Sequence, residues 1–337
     1  MSSPDQPICR LTFSTEELVT AFPPRFYDAN KRLVYAIACP PGCTHGGEIV
    51  FSRWRAMALP PHLTRDQAEC IIEARQDAFG YEPPSEGEPP CSEWYLNFAD
   101  PDLFCAYGGP LFAQDEMQVA EHPALASLRE ALLDSGVEPL TVENGQPTPI
   151  VITGVQRRCA VATDPNPAEG RPHGLYGNNF ARASPEAISR ATTPITPPTI
   201  TNIIAMAAPT GGSGAYTRDE IRYILQTAYT GFSAARIESR RERGEDVRVV
   251  VHTGFWGCGA FGGNRVLMAA LQLLTAHLSN VNRLIFHTFD ESGSAAFAQP
   301  REMVQHDLIR TGRQPKTSQL VGLLHSKRFR WGVSDGN

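Results

Sequence analysis

Val249 to Asn264 reads VVVHTGFWGCGAFGGN. The apolar run Val247–Val251, with Arg248 inside it, predicts a buried strand. The strand ends at Thr253-Gly254 and opens into a loop with glycines at 254, 257, 259, 262 and 263. A helix is predicted from Arg265, with apolar residues at 267, 270, 271, 274 and 278 on one face. Strand, glycine-rich loop and helix start form a cradle for a diphosphate. Glycines let the backbone approach phosphate oxygens, and free N–H groups at the helix start bind them. No Gly-Lys-Ser/Thr follows, so this is not a P-loop, and the glycine spacing is not that of a dinucleotide fold.

Around this stretch the chain reads as alternating strands and capped helices, an α/β pattern with a largely parallel sheet. Trp94–Phe98, Thr148–Thr153, Ile200–Ala207 and Asn282–Phe289 are predicted strands. Helices are expected at Ser14–Phe22, Thr64–Phe79 and, after the capping box Thr217-Arg-Asp-Glu220, across 221–232. Another runs from Asp115-Glu116 to about Leu133, interrupted at Pro123. The run Arg240–Asp246 reads as a solvated turn, Gly154–Pro198 as a long functional loop, and Val321–Leu324 as a strand or docking tail. Two adjacent carboxylates, Asp115 and Glu116, stand at a helix start just after Gly108-Gly109, where a helix dipole favours charge.

Composition bounds the function. The net charge of −6 excludes a general nucleic-acid surface. No stretch reads as a leader or a membrane span, so a cytoplasmic or nuclear location is expected. The eight cysteines are scattered and read as free thiols. Cys39, Cys43 and His45 have no fourth ligand at a recognisable spacing, so no metal is expected. No cofactor is expected either. Of thirty basic residues only Lys31, Lys316 and Lys327 are lysines, which reads as a bias of composition.

The segment GFWGCGAFGG is similar to the phosphate loop of poly(ADP-ribose) glycohydrolases, which are macrodomain enzymes. Their first motif has a looser counterpart here in Phe98-Ala99-Asp100, Gly108-Gly109-Pro110 and Gln114-Asp115-Glu116. Asp100 stands for an Asn, Pro110 for a third Gly, and Asp115 for a Glu. The resemblance spans roughly 94–305. It implies a three-layer macrodomain-like fold over 91–310, with a helical accessory segment at 1–90 and a tail at 311–337. It assigns acid/base catalysis to Glu116 and contacts with ribose hydroxyls to Asp115 and Asp100, beside Gly108, Gly109 and Gln114. The diphosphate falls to the loop Thr253, Gly254, Phe255, Trp256, Gly257, Cys258, Gly259, Ala260, Phe261 and Gly262. Tyr176 or Phe180, and Phe289, are the candidates for the adenine side. Cys258 has no evident His or acid partner and is not read as a nucleophile.

The implied activity is hydrolysis of the glycosidic bond at the distal ribose of ADP-ribosylated protein. The substrate and partner are ADP-ribose and ADP-ribosylated proteins, with no nucleic acid or membrane partner, and the chain is expected to be a monomer. The carboxylates Asp100, Asp102 and Asp115 suit a guanidinium, so hydrolysis of mono-ADP-ribosyl-arginine is one alternative. A non-catalytic ADP-ribose reader is another.

Overall fold

The computed structural model describes residues 6–63, 70–82, 89–309 and 314–336. The elements in chain order are β1 Cys9–Ser14, α1 Thr15–Ala21, α2 Ala29–Ala38, β2 Glu48–Arg53, β3 Ile71–Arg75, β4 Cys91–Phe98, α3 Gln114–Glu121 and α4 Ala124–Asp134. A small hairpin, β5 Val142–Glu143 and β6 Gln146–Pro147, is followed by β7 Ile150–Val161, α5 Pro185–Ala191, β8 Thr192–Met206 and α6 Arg218–Arg243. The chain closes with β9 Arg248–Thr253, α7 Arg265–Leu278, β10 Arg283–His287, α8 Glu291–Met303 and α9 Thr317–Ser326.

Eight strands form one mixed sheet in the order β1-β2-β7-β8-β4-β9-β10-β3. The β8-β4-β9-β10-β3 half is parallel, and the β1-β2-β7-β8 half is antiparallel. Side chains alternate across it, as the strand period of two requires. Trp94, Leu96, Ile204, Met206, Val249 and Val251 enter one core with α6, α7 and α9. Tyr95, Ile203 and Ala205 face the other way, into a second core with α1 and α4. The result is a three-layer α/β/α domain. The central helix α7 is buried on nearly every side from Leu267 to Leu278. The capping box expected at Thr217 and Glu220 forms at the start of α6.

Several expectations are corrected by this architecture. Thr64–Phe79 is not a helix where it is described: Ile71–Arg75 is β3, paired in parallel with β10, while Thr64–Glu69 lies outside the described residues. Parallel pairing along the whole of Ile71–Arg75 outweighs the local helical spacing. Residues 1–90 contain the expected helix α1 and an unexpected one, α2, but β1, β2 and β3 also enter the main sheet. The segment is built into the sheet instead of only laid against it.

The expected long loop at 154–198 shortens to residues 162–191, with α5 inside it, because β7 continues to Val161 and β8 begins at Thr192 as an antiparallel arm. Three prolines in β8 hide its strand pattern. The bulge between Ile152 and Val155 centres on Gly154 at φ +78°, where a Cβ would stand 2.1 Å from the Glu48 carbonyl oxygen. Arg240–Arg243 continues α6, and the turn begins only at Gly244. Val321–Leu324 is helical, within α9, with Leu320, Val321 and Leu324 buried. A four-residue apolar run does not distinguish strand from helix.

Candidate functional site

The three adjacent parallel strands β8, β4 and β9 end on the same edge of the sheet, at Met206, Phe98 and Thr253. The segments leaving β4 and β9 carry almost all the candidate residues, and the carboxyl edge of parallel strands is where α/β domains bind ligands.

From β4 the chain passes Asp100 and the turn at Gly108-Gly109 and enters α3. Gly108 is fixed by close approach: a Cβ there would lie 2.3 Å from the Arg25 carbonyl oxygen. Its own carbonyl accepts from Tyr27 N–H and Asp28 N–H at 2.8 and 3.0 Å. Gln114 ties the helix start to the strand end. Its Oε1 accepts from Phe98 N–H at 2.7 Å, and its Nε2 donates to the Leu96 carbonyl at 3.0 Å. No side chain at Ala113 caps α3. Glu116 instead folds back, its Oε2 accepting from Ala113 N–H at 3.0 Å.

Asp115 and Glu116 are both buried, at 7% and 4% exposure. Asn97 Nδ2 donates to Asp115 Oδ1 at 2.9 Å. The Asp115 carboxyl is raised far above the usual carboxylate range, first by burial and then by the charge of Glu116. The Glu116 carboxyl is also raised, mainly by burial, and the helix-start N–H groups and Lys31 pull the other way. Burial thus outweighs the helix dipole, and both carboxyls hold a proton more readily than free ones.

Lys31, on α2, was not singled out in the sequence. It is 1% exposed, its Nζ donates to the Tyr107 carbonyl at 2.9 Å, and it stands 5.4 Å from the Phe112 ring centre. Burial lowers its ammonium to about 8 against the opposing pull of Glu116 and Asp115. Asp100 Oδ1 accepts from Asp102 N–H at 2.9 Å. Asp102 itself is already held by both terminal nitrogens of Arg129, at 2.7 and 2.9 Å.

The glycine loop leaving β9 has an inner and an outer face. Inward, Trp256 is 1% exposed in the core, and its Nε1 donates to the Met206 carbonyl at 2.9 Å. Thr253 donates its hydroxyl to Gln272, and Gln272 Nε2 donates to the Gly254 carbonyl at 3.0 Å. Cys258 Sγ points to the Trp256 carbonyl at 3.6 Å, and burial pushes its thiol up to about 12, so it carries no thiolate. Gly257 turns at φ +72° with a Cβ position 2.4 Å from Ala208 Cβ. Outward, the N–H groups of Gly259, Ala260 and Phe261 donate no hydrogen bond among the described residues. They are the cradle available to an anion. Phe255 and Phe261 are half-buried, and Arg265 stacks 5.1 Å from the Phe255 ring centre.

The glycine loop meets the end of β4 at Gly254, whose Cβ position is 3.5 Å from Phe98 Cζ. Beside them opens a cavity of about 270 Å³ lined by Gln114, Phe98, Gly254, His287 and Phe289, and deeper by Arg157 and Glu121. Phe289 sits on its rim at φ +69° with a largely exposed ring. Tyr176 is also partly exposed, and its hydroxyl, raised to about 12 chiefly by burial, feels the charges of Asp335 and Glu116. Phe180 is buried and stacked on Phe112 at 4.0 Å.

The chain's last residues also come here. Trp331 stacks on Tyr216 at 4.2 Å, Gly332 N–H donates to the Gly262 carbonyl at 2.8 Å, and Asp335 reaches Gly259. Nothing in the sequence of residues 328–336 signals this docking.

Residues 174–296 match the family model described as poly(ADP-ribose) glycohydrolase (PARG), macro domain fold. Among solved structures, the chain is similar to a poly(ADP-ribose) glycohydrolase from Thermomonospora curvata bound to the inhibitor ADP-HPD. Identity is 16%, coverage is 85% of this chain and 97% of that one, and the TM-score is 0.43. It is likewise similar to one from Deinococcus radiodurans in complex with ADP-ribose, at 15% identity, with 87% and 93% covered and a TM-score of 0.42. Over residues 174–296, then, the chain is similar to the catalytic region of poly(ADP-ribose) glycohydrolases, with its macro domain fold.

Proposed function

We propose that the protein is an ADP-ribosyl hydrolase that cleaves the glycosidic bond at the distal ribose of ADP-ribosylated protein and releases ADP-ribose. The observation that carries this reading is the buried carboxyl pair Asp115–Glu116 opening on the same sheet edge as the unspent N–H groups of the glycine loop. A sugar over the first and a diphosphate over the second is the layout of ADP-ribose. Glu116 would give its proton to the leaving atom as the anomeric bond breaks, then take a proton from the attacking water at an oxocarbenium-like centre. Asp115, fixed by Asn97, would hold ribose hydroxyls. The cavity at Gln114, Gly254 and Phe289 would take the base. We expect the chain to act as a monomer.

The arginine-directed alternative loses one of its three carboxylates, because Asp102 is already paired with Arg129. Incubation with poly(ADP-ribose) and with an arginine-linked mono-ADP-ribosylated protein, followed by assay of free ADP-ribose, separates the readings. Release from the polymer is expected. Release from arginine alone would make the acceptor a guanidinium, and tight ADP-ribose binding without release from either would make the protein a reader.

Lys31 gives a pH test. Its charge lowers the Glu116 carboxyl, so Lys31→Met raises that carboxyl further. The acid form of Glu116 then survives to higher pH. The alkaline limb of the kcat/KM profile should shift upward in the variant. An unchanged or downward-shifted limb would remove Lys31 from the electrostatics of the acid.

A further inference from the structure

The end of α2 and the loop after it bring Cys39, Cys43 and His45 together, with one ligand atom of each within 4.8 Å of the others. Cys43 Sγ and His45 Nε2 are 3.6 Å apart. Zinc–sulfur and zinc–nitrogen bonds of about 2.3 and 2.0 Å at a tetrahedral angle place their ligand atoms about 3.6 Å apart. We infer that Cys39, Cys43 and His45 form a tetrahedral zinc site with water as fourth ligand. The expectation of no metal rested on sequence spacing, which does not show that the loop folds back onto the helix end.

The fold supplies an outer shell. Arg158, on β7, donates to the carbonyls of Ala38 and Thr44 at 3.3 and 3.1 Å and to Gln156 Oε1 at 2.6 Å. It therefore clamps both ends of the ligand loop to the sheet. Arg158 also donates toward His45 Nδ1 at 3.4 Å, and this long contact must loosen for the ring to carry its proton on Nδ1 and offer Nε2 to the metal. All three ligands are half-buried, so water can complete the shell. Binding would release the two thiol protons.

The test is zinc content of the full chain purified without chelator or metal-affinity resin, together with the visible spectrum after cobalt(II) substitution. About one zinc per chain is expected, with thiolate-to-cobalt charge transfer and tetrahedral bands that Cys43→Ser abolishes. A metal-free chain whose wild-type form gives no thiolate-to-cobalt band overturns the site. So does a Cys39–Cys43 disulfide found by mass in protein kept under reductant.

A separate observation concerns the chain's end, and it rests on the proposed ADP-ribose site. Residues 332–336 lie along the outer face of the glycine loop. Asp335 Oδ2 is 3.0 Å from the Cβ position of Gly259, and Ser334 N and Val333 C are 3.2 and 3.3 Å from that of Gly262. On the far side, Asn178 Nδ2 donates to the Gly336 carbonyl at 3.5 Å. The segment thus spans from the phosphate cradle to the loop that bears Tyr176, and it sets a carboxylate where a diphosphate would lie. We propose that residues 332–336 are a strap that occupies the diphosphate subsite and is displaced when ADP-ribose binds.

Calorimetry with ADP-ribose should compare the full chain, a chain ended after Gly332, and Asp335→Ala. The shortened chain keeps the Trp331–Tyr216 stack. If the strap covers the site in about nine molecules of ten, its removal tightens binding about tenfold, with a smaller gain for Asp335→Ala. Equal or weaker binding by both variants overturns the strap. Absence of ADP-ribose binding by all three proteins overturns the functional reading beneath it instead.

Discussion

Glu116→Gln should reduce turnover by about 10²–10⁴-fold, the usual worth of a positioned acid/base, while ADP-ribose affinity changes only a few-fold. The substitution keeps the size of the side chain and an oxygen to accept from Ala113 N–H, so the start of α3 remains capped. What it removes is the titratable proton. It also removes the charge that helps hold the Asp115 carboxyl high, so Asp115 should ionise at lower pH in the variant, and ribose binding should show that change. The measurement is single-turnover release of ADP-ribose beside calorimetric binding. Loss of binding together with turnover would mean that Glu116 mainly holds the fold of the loop. Full activity in the variant would move the acid elsewhere, with Asp115 the first place to look.

The second large effect is expected where no chemistry is assigned. Trp256→Ala should cost roughly 3–5 kcal/mol of stability, the range for emptying a buried aromatic site. At this chain length that is roughly 4–7 °C in Tm. The indole fills the core beneath the glycine loop and leaves its N–H on the Met206 carbonyl. Without it that buried carbonyl loses its partner, and the loop loses the anchor that aims the N–H groups of Gly259 to Phe261 outward. ADP-ribose binding should weaken in parallel. Phe261→Ala, at a half-buried ring, serves as the control and should cost clearly less stability. A Trp256→Ala protein as stable as its parent would show that the loop is held by its glycine geometry alone.

The α/β alternation, the parallel order at the centre and the glycine loop were legible because each is a local signal: strand period, capping residues, turn residues. The helix starts near Gln114, Arg218 and Arg265 followed from the acidic pair after the glycine turn, a capping box and apolar spacing respectively. The strand β3 was not legible, because five residues at a sheet edge take their conformation from β10 and not from their own periodicity. Nor was the β7–β8 arm, where prolines interrupt the pattern that pairing restores. At the candidate site, local motifs pointed to Glu116 and the loop but not to Asn97, whose hydrogen bond to Asp115 depends on strand β4 running beside α3. Lys31 is instructive. The scarcity of lysine was visible, yet only the tertiary structure shows one of the three buried against the acid pair. Trp256 illustrates the reverse case, since a residue inside a binding motif can point its whole side chain into the core.

The placement of the C-terminal residues bears on how the protein is handled. Any peptide continued past Gly336, an affinity tag or a fluorescent fusion included, begins beside Asn178 and the glycine loop. A label there would report on, or interfere with, occupancy of the cradle. The first strand of the described chain, at Cys9, lies on an outer edge of the sheet, separated from β9 by four strands. Carriers and immobilisation chemistry therefore belong at the N-terminal end, and an environment-sensitive dye belongs at the other.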